Sequence, residues 1–445
     1  MGWTAEQQRA IDQRGESLLV SAAAGSGKTA VLTNRVVKFA QTGGSLDRLL
    51  VVTFTRLAAS EMRERIGKLL QTSDFEDKEL LRRQKLLLYK AKICTIDSFF
   101  CEIVRENFKT LGILPDFRLL DDAEYQFIKS EVLTDLLEER YADFANGFEE
   151  LLKLFGGEGE NEALSKQISD LYRFLQALPF PEDWADGQKA AYEDPELWLS
   201  DACAEILPDV KEYIEIYEDI INESPFTEKG MSVVFSEADL LKRMKDHLEK
   251  NEWDEMQRLV SAYTFETSPR CNKSDRTMMK YKIFRNELKG YLSRPIFSMS
   301  GEILKSDLPQ VKGGVFSLID TTLEYISRVN AEMKRKNAYS FDAIAHMALS
   351  LTVKRDENGI AEKTDYAKEL SGMFDEILID EYQDVNDLQE CFFSAISRNN
   401  CFTVGDVKQS IYMFRQANPD NFIAKEGLFP VIYLNKNFRP HVYLM

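Results

Sequence analysis

The sequence predicts an α/β fold in which both ends of the chain build a parallel sheet and a long helical stretch separates them. Near the amino terminus, strand-like apolar runs at residues 17–23, 48–55 and 91–97 alternate with amphipathic stretches. This strand–helix–strand order is typical of a parallel sheet with crossover helices. Strand-like runs return after residue 374, in "FDEILIDEY", "NCFTVGD" and "FPVIYLN". The simplest architecture is one α/β core that is interrupted in sequence.

The interruption is predicted to be helical throughout. Between residues 106 and 335, Leu, Ile, Phe and Tyr recur every three or four positions, as in "EYQFIKSEVLTDLLEERYADF", and this spacing gives a helix one apolar face. We therefore expect a first core segment at 1–105, a helical insertion at 106–335 and a second core segment at 336–445.

The net charge of −18 at first argues against a nucleic-acid partner. Its distribution weakens that objection, because residues 106–260 hold 15 Lys and Arg against 38 Asp and Glu, whereas residues 1–105 hold 17 against 12. The six cysteines form no C-x-x-C pair and the three histidines are far apart, which favours reduced thiols over a disulfide framework or a zinc site. No apolar run approaches the ~18 residues of a membrane span, and the polar start is no signal peptide. We expect a cytoplasmic protein without a membrane segment.

A glycine-rich loop, "SAAAGSGKT" at 21–29, follows the first strand and opens a helix. Glycines let a backbone wrap around a phosphate, and the amides of a helix amino terminus point at it. Lys28 would reach the β- and γ-phosphates, and Thr29 would offer its hydroxyl to Mg²⁺. The alternative is a chance glycine-rich turn, since Ala22 stands where the strict pattern has glycine. The predicted nucleotide-binding loop comprises Ala24, Gly25, Ser26, Gly27, Lys28 and Thr29.

Two later strands also end in polar residues. In "EILIDEYQD" (376–384) an apolar strand ends at Asp380 and Glu381, which predicts a Mg²⁺ ligand followed by a carboxylate that polarises the attacking water. In "FTVGDVKQ" (402–409) Gln409 follows the next strand and would sense the γ-phosphate. Adjacent acids after an apolar run are common, however, and Gln409 could be a solvated residue beside an Asp406 helix cap.

Seven motifs now carry a resemblance: "TAEQ" (4–7), "AAAGSGKT" (22–29), "VVTFTRLAASEMRERI" (51–66), "CTIDSF" (94–99), "LIDEYQD" (378–384), "VGDVKQSIYMFR" (404–415) and "LNKNFR" (434–439). Their order is that of superfamily 1A DNA helicases of the UvrD/Rep type, and the sequences of the motifs most resemble those of the AddA family of helicase–nuclease subunits. The resemblance implies a RecA-like P-loop NTPase core, domain 1A, at 1–105 and 336–445. It also implies that 106–335 is the helical insertion called domain 1B.

The resemblance assigns roles to single residues. Gln7 would read the adenine edge, Phe438 would stack on adenine, and Arg439 would reach the γ-phosphate. Lys28, Glu381, Gln409 and Arg439 would be catalytic, and Thr29 and Asp380 would hold the metal. Single-stranded DNA would contact Thr53, Phe54, Thr55, Thr95, Ser98, Tyr412, Phe414 and Arg415. Aromatic side chains suit this task because any base can stack on them, although Phe54 and Phe414 could equally be core residues. Asp97 departs from the family, which often has His there, and puts an acid near this path.

The activity implied is ATP- and Mg²⁺-dependent 3′-to-5′ unwinding of DNA in double-strand break and recombinational repair, with an AddB-type partner subunit. No second RecA-like lobe with its arginine finger and no nuclease domain are found in this sequence. An N-terminal portion of a helicase is therefore expected, and the alternative is a module that binds ATP and DNA without turnover. An ABC- or SMC-type ATPase is disfavoured because no "LSGGQ"-like signature is present.

One further stretch leaves two interpretations open. Residues 270–294 hold 8 Lys and Arg against 2 Asp and Glu, interleaved with Tyr281, Phe284 and Tyr291. Basic and aromatic residues together suggest contact with duplex DNA; the alternative is a solvated basic face on an amphipathic helix.

Overall fold

The chain divides into two compact units in a computed structural model that describes residues 2–23, 25–73, 75–144, 147–155, 160–223, 227–269, 276–356, 359–409 and 417–436. The first unit comprises Met1–Glu139, Ser165–Pro181 and Thr322–Met445, and the second comprises Arg140–Leu164 and Glu182–Thr321. The predicted boundaries of a core at 1–105 and 336–445 and an insertion at 106–335 stay a prediction.

Both classes of secondary structure are present, with helices in the majority. The strands are β1 (Leu18–Ala22), β2 (Leu49–Thr53), β3 (Lys92–Thr95), β4 (Arg118–Leu119), β5 (Ala338–Tyr339), β6 (Val353–Arg355), β7 (Ala361–Lys363), β8 (Glu376–Ile379), β9 (Cys401–Gly405) and β10 (Val431–Leu434). The helices are α1 (Ala5–Asp12), α2 (Lys28–Gln41), α3 (Arg56–Thr72), α4 (Lys78–Leu87), α5 (Ile96–Glu106), α6 (Phe108–Leu111), α7 (Asp122–Asp143), α8 (Phe148–Leu154), α9 (Glu160–Ala177), α10 (Pro181–Glu193), α11 (Pro195–Asn222), α12 (Glu228–Leu248), α13 (Trp253–Ala262), α14 (Arg276–Leu292), α15 (Gly301–Lys336), α16 (Phe341–Thr352), α17 (Asp365–Met373), α18 (Asp387–Ile396) and α19 (Asp420–Glu426).

The first unit is built on a six-stranded sheet in the order β10-β1-β9-β8-β2-β3. Every pairing in it is parallel, so the predicted parallel sheet drawn from both ends of the chain is confirmed. Strands β2, β8 and β9 are buried along their whole length, as expected for a sheet covered on both faces by helices. Parallel strands also bring all their carboxyl ends to one edge, and most of the predicted site residues lie at or just after those ends.

Some elements of this unit have no clear signal in the sequence. Strands β4 and β5 pair only through Arg118–Ala338 and Leu119–Tyr339, and β6 and β7 form a short antiparallel ribbon. Strands of two or three residues are too short to display an alternating pattern. In the part of the chain that the structure describes, no helix has both the length and the apolar composition needed to cross a membrane.

The second unit is helical, and its core contains a buried carboxylate with three partners. Glu237 accepts hydrogen bonds from Tyr217 at 2.9 Å, Tyr281 at 2.9 Å and Arg285 at 2.5 Å. Tyr281 is fully buried and Tyr291 nearly so. These tyrosines of the basic stretch 270–294 are therefore core residues, which favours the amphipathic-helix interpretation over contact with duplex DNA.

Candidate nucleotide and nucleic-acid site

The glycine-rich loop joins β1 to α2 in a conformation that requires glycine. Gly25 and Gly27 have φ of 77° and 91°, in the left-handed region that residues with a Cβ adopt only at a cost. Helix α2 has no side-chain cap, so the amides of its first turn face outward and form an anion site. The Ser26 hydroxyl is fully buried and has no hydrogen-bond partner in the described part of the chain. A buried hydroxyl without a partner, directly before the start of a helix, fits a bound phosphate.

Lys28 contacts two of the other predicted catalytic side chains. Its Nζ donates to Glu381 Oε2 at 2.7 Å and to Gln409 Oε1 at 3.4 Å. The structure thus brings together three of the predicted catalytic residues from α2 and from the ends of β8 and β9. Arg439 lies outside the described residues.

Asp380 and Glu381 differ sharply although they are neighbours. Asp380 is 6% exposed, and its burial, assisted by the adjacent Glu381 carboxylate, raises its pKa to about 6. The Glu381 side chain is 42% exposed, and its backbone is left-handed at φ 52°. That conformation costs a non-glycine residue about 1–2 kcal/mol, and such strain is often found at functional sites.

Gln383 links this strained turn to the end of β9. Its Nε2 donates to Glu381 Oε2 at 3.0 Å, and its Oε1 accepts from the Asp406 amide at 2.9 Å. Gly405 leaves room for this contact, since a Cβ there would lie 2.4 Å from Gln383 Oε1 and 2.9 Å from the Phe422 ring. The two strand ends are therefore held in close contact.

A second hydrogen-bond network involves Tyr382, the residue after Glu381. The hydroxyl of Tyr382, a fully buried residue, donates to the Glu390 carboxylate. Lys425 of α19 donates to Glu390 at 2.7 Å and lies 5.4 Å from the centre of the Tyr382 ring. Nothing in the sequence predicts this network, because its members are separated along the chain and belong to no short motif.

The residues predicted to hold a metal are Thr29, in the first turn of α2, and Asp380. No group of three or more His, Cys, Asp or Glu side chains among the described residues could hold a metal ion by itself. One hydroxyl and one buried carboxylate nevertheless fit Mg²⁺, which is usually bound by one or two carboxylates together with phosphate oxygens.

Gln7 lines a cavity of about 360 Å³ with Ser26 and residues 431–436. Its side chain is already engaged, because Oε1 accepts from the Thr4 amide at 3.0 Å and Nε2 donates to Ser26 O at 2.9 Å. One amide hydrogen and one lone pair remain for a ligand. Ala24 and Phe438, the other predicted contacts there, lie outside the described residues.

Five of the residues predicted to contact DNA lie at or just after the carboxyl ends of β2 and β3. Three of the hydroxyls have structural partners: Thr53 donates to Thr55 O at 3.1 Å, Thr55 caps α3, and Thr95 caps α5. Ser98 lies 2.7 Å from the Thr95 hydroxyl. Tyr412, Phe414 and Arg415 lie outside the described residues.

Phe54, Thr95 and Ser98 line one cavity of about 600 Å³. Phe341, which is 40% exposed, lies in the same wall. Phe54 and Phe341 also line a neighbouring cavity of about 450 Å³, together with Arg173. Neither Phe341 nor Arg173 was predicted from the sequence. The available signal for Phe341 was its position directly after a short strand and a Ser helix cap. Asp97 lines both cavities; that a DNA path runs there stays a prediction.

Comparison with known proteins gives a consistent result. A family model described as "UvrD/REP helicase N-terminal domain" matches residues 3–430. A curated protein of Lachnoclostridium phytofermentans, named as the A subunit of an ATP-dependent helicase/nuclease, is 34% identical over 98% of this chain and 34% of its own length. Proteins of the same name from Ruminiclostridium cellulolyticum and Clostridium acetobutylicum are 34% and 35% identical, each over 98% of this chain and 38% of their own length. The chain thus spans about a third of the length of these relatives.

Proposed function

This chain belongs to the UvrD/REP helicase family, and we propose that it is the N-terminal motor portion of an ATP-dependent DNA helicase, of the type found in the A subunits of helicase/nucleases. In this proposal 1–105 and 336–445 are the RecA-like domain 1A, and 106–335 are the helical domain 1B. The observation that carries the proposal is the convergence of Lys28, Glu381 and Gln409 at one edge of a parallel sheet, next to a glycine-rich helix start.

Each residue of the site has a chemical task when ATP binds. The amides at the start of α2, at Lys28 and Thr29, and the Lys28 ammonium neutralise the β- and γ-phosphates. Thr29 and Asp380 would hold Mg²⁺, which would supply positive charge to the phosphate oxygens of ATP. Glu381 accepts a proton from the attacking water, and Gln409 contacts the γ-phosphate and the water. Lys28 is paired with Glu381 in this structure, so binding requires the ammonium to turn towards phosphate.

The nucleic-acid part of the proposal uses the wall around Phe54. Its ring and that of Phe341 offer stacking surfaces to bases, and Thr55, Thr95 and Ser98 offer hydroxyls to phosphates. We propose 3′-to-5′ translocation on single-stranded DNA, unwinding of duplex DNA in recombinational repair of double-strand breaks, a cytoplasmic location and an AddB-type partner protein. The names of the relatives support helicase activity; polarity and partner come from the family resemblance.

The test is hydrolysis of ATP by the 445-residue chain with and without single-stranded DNA. We expect DNA-stimulated hydrolysis that Lys28→Ala abolishes and that is weak, because an arginine finger supplied by another lobe contributes about 10³–10⁵ in rate. Turnover of about 1 s⁻¹ or more that depends on Lys28 would exclude a module without turnover. Lys38→Ala, a change of an exposed lysine on the same helix, is the matched control and should leave turnover unchanged.

The same measurement separates the alternative function. A module that binds ATP and DNA without turnover would give nucleotide binding that depends on Lys28 but no hydrolysis, as expected when an arginine finger contributes 10³–10⁵ in rate and is supplied by another lobe. Absence of Lys28-dependent nucleotide binding would contradict both functions.

A further inference from the structure

Helix α4 exposes an unusual concentration of positive charge for a chain with a net charge of −18. Its cations are Lys78, Arg82, Arg83, Lys85 and, just past its end, Lys90, and all five are exposed. The same surface exposes two apolar side chains, Leu86 at 71% and Tyr89 at 85%. The stretch 78–90 contains one acid, Glu79.

These cations are not neutralised within the described residues, where none of the five has an ion-pair or hydrogen-bond partner. The preceding helix α3 behaves differently, because Arg65 and Lys68 pair with acids one turn away, Glu61 and Glu64. On α4 the spacing produces repulsion, with Lys78 four residues before Arg82 and Arg82 three before Lys85. Each such like-charge neighbour costs a helix about 0.2–0.5 kcal/mol, a cost that a bound polyanion would remove.

The helix is nevertheless firmly anchored on its inner side. Gln84 is buried, donates to Gly44 O at 2.6 Å and accepts from the Leu46 amide at 3.2 Å. Arg63 of α3 donates to Leu88 O at 2.7 Å and to Ala91 O at 3.1 Å, which satisfies carbonyls at the end of α4. The charged face is therefore presented in a fixed orientation.

Its position separates it from the site described above. Gly44 and Leu46 directly precede β2, so Gln84 fixes α4 at the amino-terminal edge of the parallel sheet. The nucleotide loop and the wall around Phe54 follow the carboxyl ends of the strands. A ligand on α4 would therefore occupy a different edge of the sheet.

We propose that α4 is a second DNA-binding surface that contacts the sugar–phosphate backbone of duplex DNA. Lys78, Arg82 and Lys85 share one stripe of the helix at spacings of four and three residues, and Tyr89 follows just past the helix end. Over this stripe the helix rises about 10 Å, which is long enough to meet more than one phosphate of one strand. Tyr89 can donate its hydroxyl to a phosphate, as tyrosines do in backbone contacts.

Duplex fits this surface better than single-stranded DNA or an acidic protein. Sites for single strands combine charge with several aromatic rings on which successive bases stack, and Tyr89 is the one aromatic residue in the stretch 78–90. An acidic protein surface would favour a larger apolar centre than Leu86 and Tyr89 provide. The inference rests on the proposed function in one respect, because a helicase is expected to meet duplex DNA.

The experiment measures binding of a blunt duplex of about 30 base pairs to the 445-residue chain by fluorescence anisotropy at about 50–200 mM salt. The test variant is Arg82→Gln/Lys85→Gln. The control is Arg335→Gln/Lys336→Gln, which makes the same charge change at cations already paired with Glu332. Each lost phosphate contact should reduce the slope of log K against log salt by about 0.9. The native chain should therefore lose about tenfold more affinity than the test variant across this range, and the control should match the native chain.

Equal slopes for the test variant and the native chain would overturn the proposal. So would unchanged duplex binding combined with a loss of self-association in sedimentation, which would assign α4 to an acidic protein surface. Binding of a single-stranded oligonucleotide distinguishes this failure from that of the proposed function. Phe54→Ala should weaken single-strand binding if the proposed function holds, whereas the α4 variant should leave most of it intact.

Discussion

Replacing Glu381 with Gln should strengthen nucleotide binding, because the Glu381 carboxylate holds the Lys28 ammonium that phosphate needs. The two groups are 2.7 Å apart, and their side chains are 11% exposed for Lys28 and 42% for Glu381. An ion pair with one solvent-exposed partner is worth about 0.5–1 kcal/mol. Releasing Lys28 from it should therefore tighten binding about two- to fivefold.

The assay is a titration with fluorescent ADP and with a non-hydrolysable ATP analogue, each with Mg²⁺, so that loss of hydrolysis cannot imitate tighter binding. Glu369→Gln is the matched control, since it removes one carboxylate from an exposed position on α17. It should leave the dissociation constants unchanged.

A double variant shows whether the gain acts through the ammonium. In the Lys28→Ala background, where binding itself is weak, Glu381→Gln should give no further gain. A gain that persists there would show that the carboxylate repels phosphate directly and would refute the ion-pair explanation. Unchanged or weaker binding by Glu381→Gln alone would refute it as well.

Three further changes test other parts of the site. Gly405→Ala forces a Cβ against two buried side chains and should lower the free energy of unfolding by about 1–3 kcal/mol in a denaturant titration, whereas Gly372→Ala, which has open space around it, should not. The Asp342 carboxyl lies in the cavity beside Phe54, where surrounding protein and a neighbouring aspartate raise its pKa to about 6. Between about pH 4 and pH 6 the folded state then binds more protons than the unfolded state, so the free energy of unfolding falls as the pH rises. Asp342→Asn should therefore stabilise the chain at about pH 7 but hardly at about pH 4. An equal effect at both pH values would contradict this. Lys425→Met leaves the Glu390 carboxylate without its cation and should cost about 3 kcal/mol, and adding Glu390→Gln should recover part of the loss; no recovery would mean that the ion pair is not the cause.

The sequence predicted the sheet well because its strands are short apolar runs that end in polar residues. Once β1, β8 and β9 were parallel, Lys28, Glu381 and Gln409 had to meet at one edge. The left-handed backbone of Glu381 could not be predicted, because nothing in "LIDEYQD" distinguishes a strained turn from an ordinary one.

Contacts between distant segments account for the other omissions. Lys425 meets Glu390 across 35 positions, and Phe341 reaches Phe54 only through folding. Tyr281 carried an ambiguous pattern, since a basic amphipathic helix looks the same whether its aromatic residues face DNA or a core. The hydrogen bond from Tyr281 to the buried Glu237 places Tyr281 in the core, and the periodicity of the sequence does not predict that partner.

The strand order has a consequence for how the chain is made. Strand β2 can pair with β3 as soon as residue 95 is available, but both neighbours of β1 are β9 and β10, which begin at Cys401 and Val431. At about 5–20 residues per second of synthesis, the interior strand Leu18–Ala22 waits roughly 20–80 seconds for its first partner. During that time an apolar segment with free backbone groups on both edges is open to wrong pairing. Chaperone binding during translation would protect this amino-terminal stretch before any other part of the sheet.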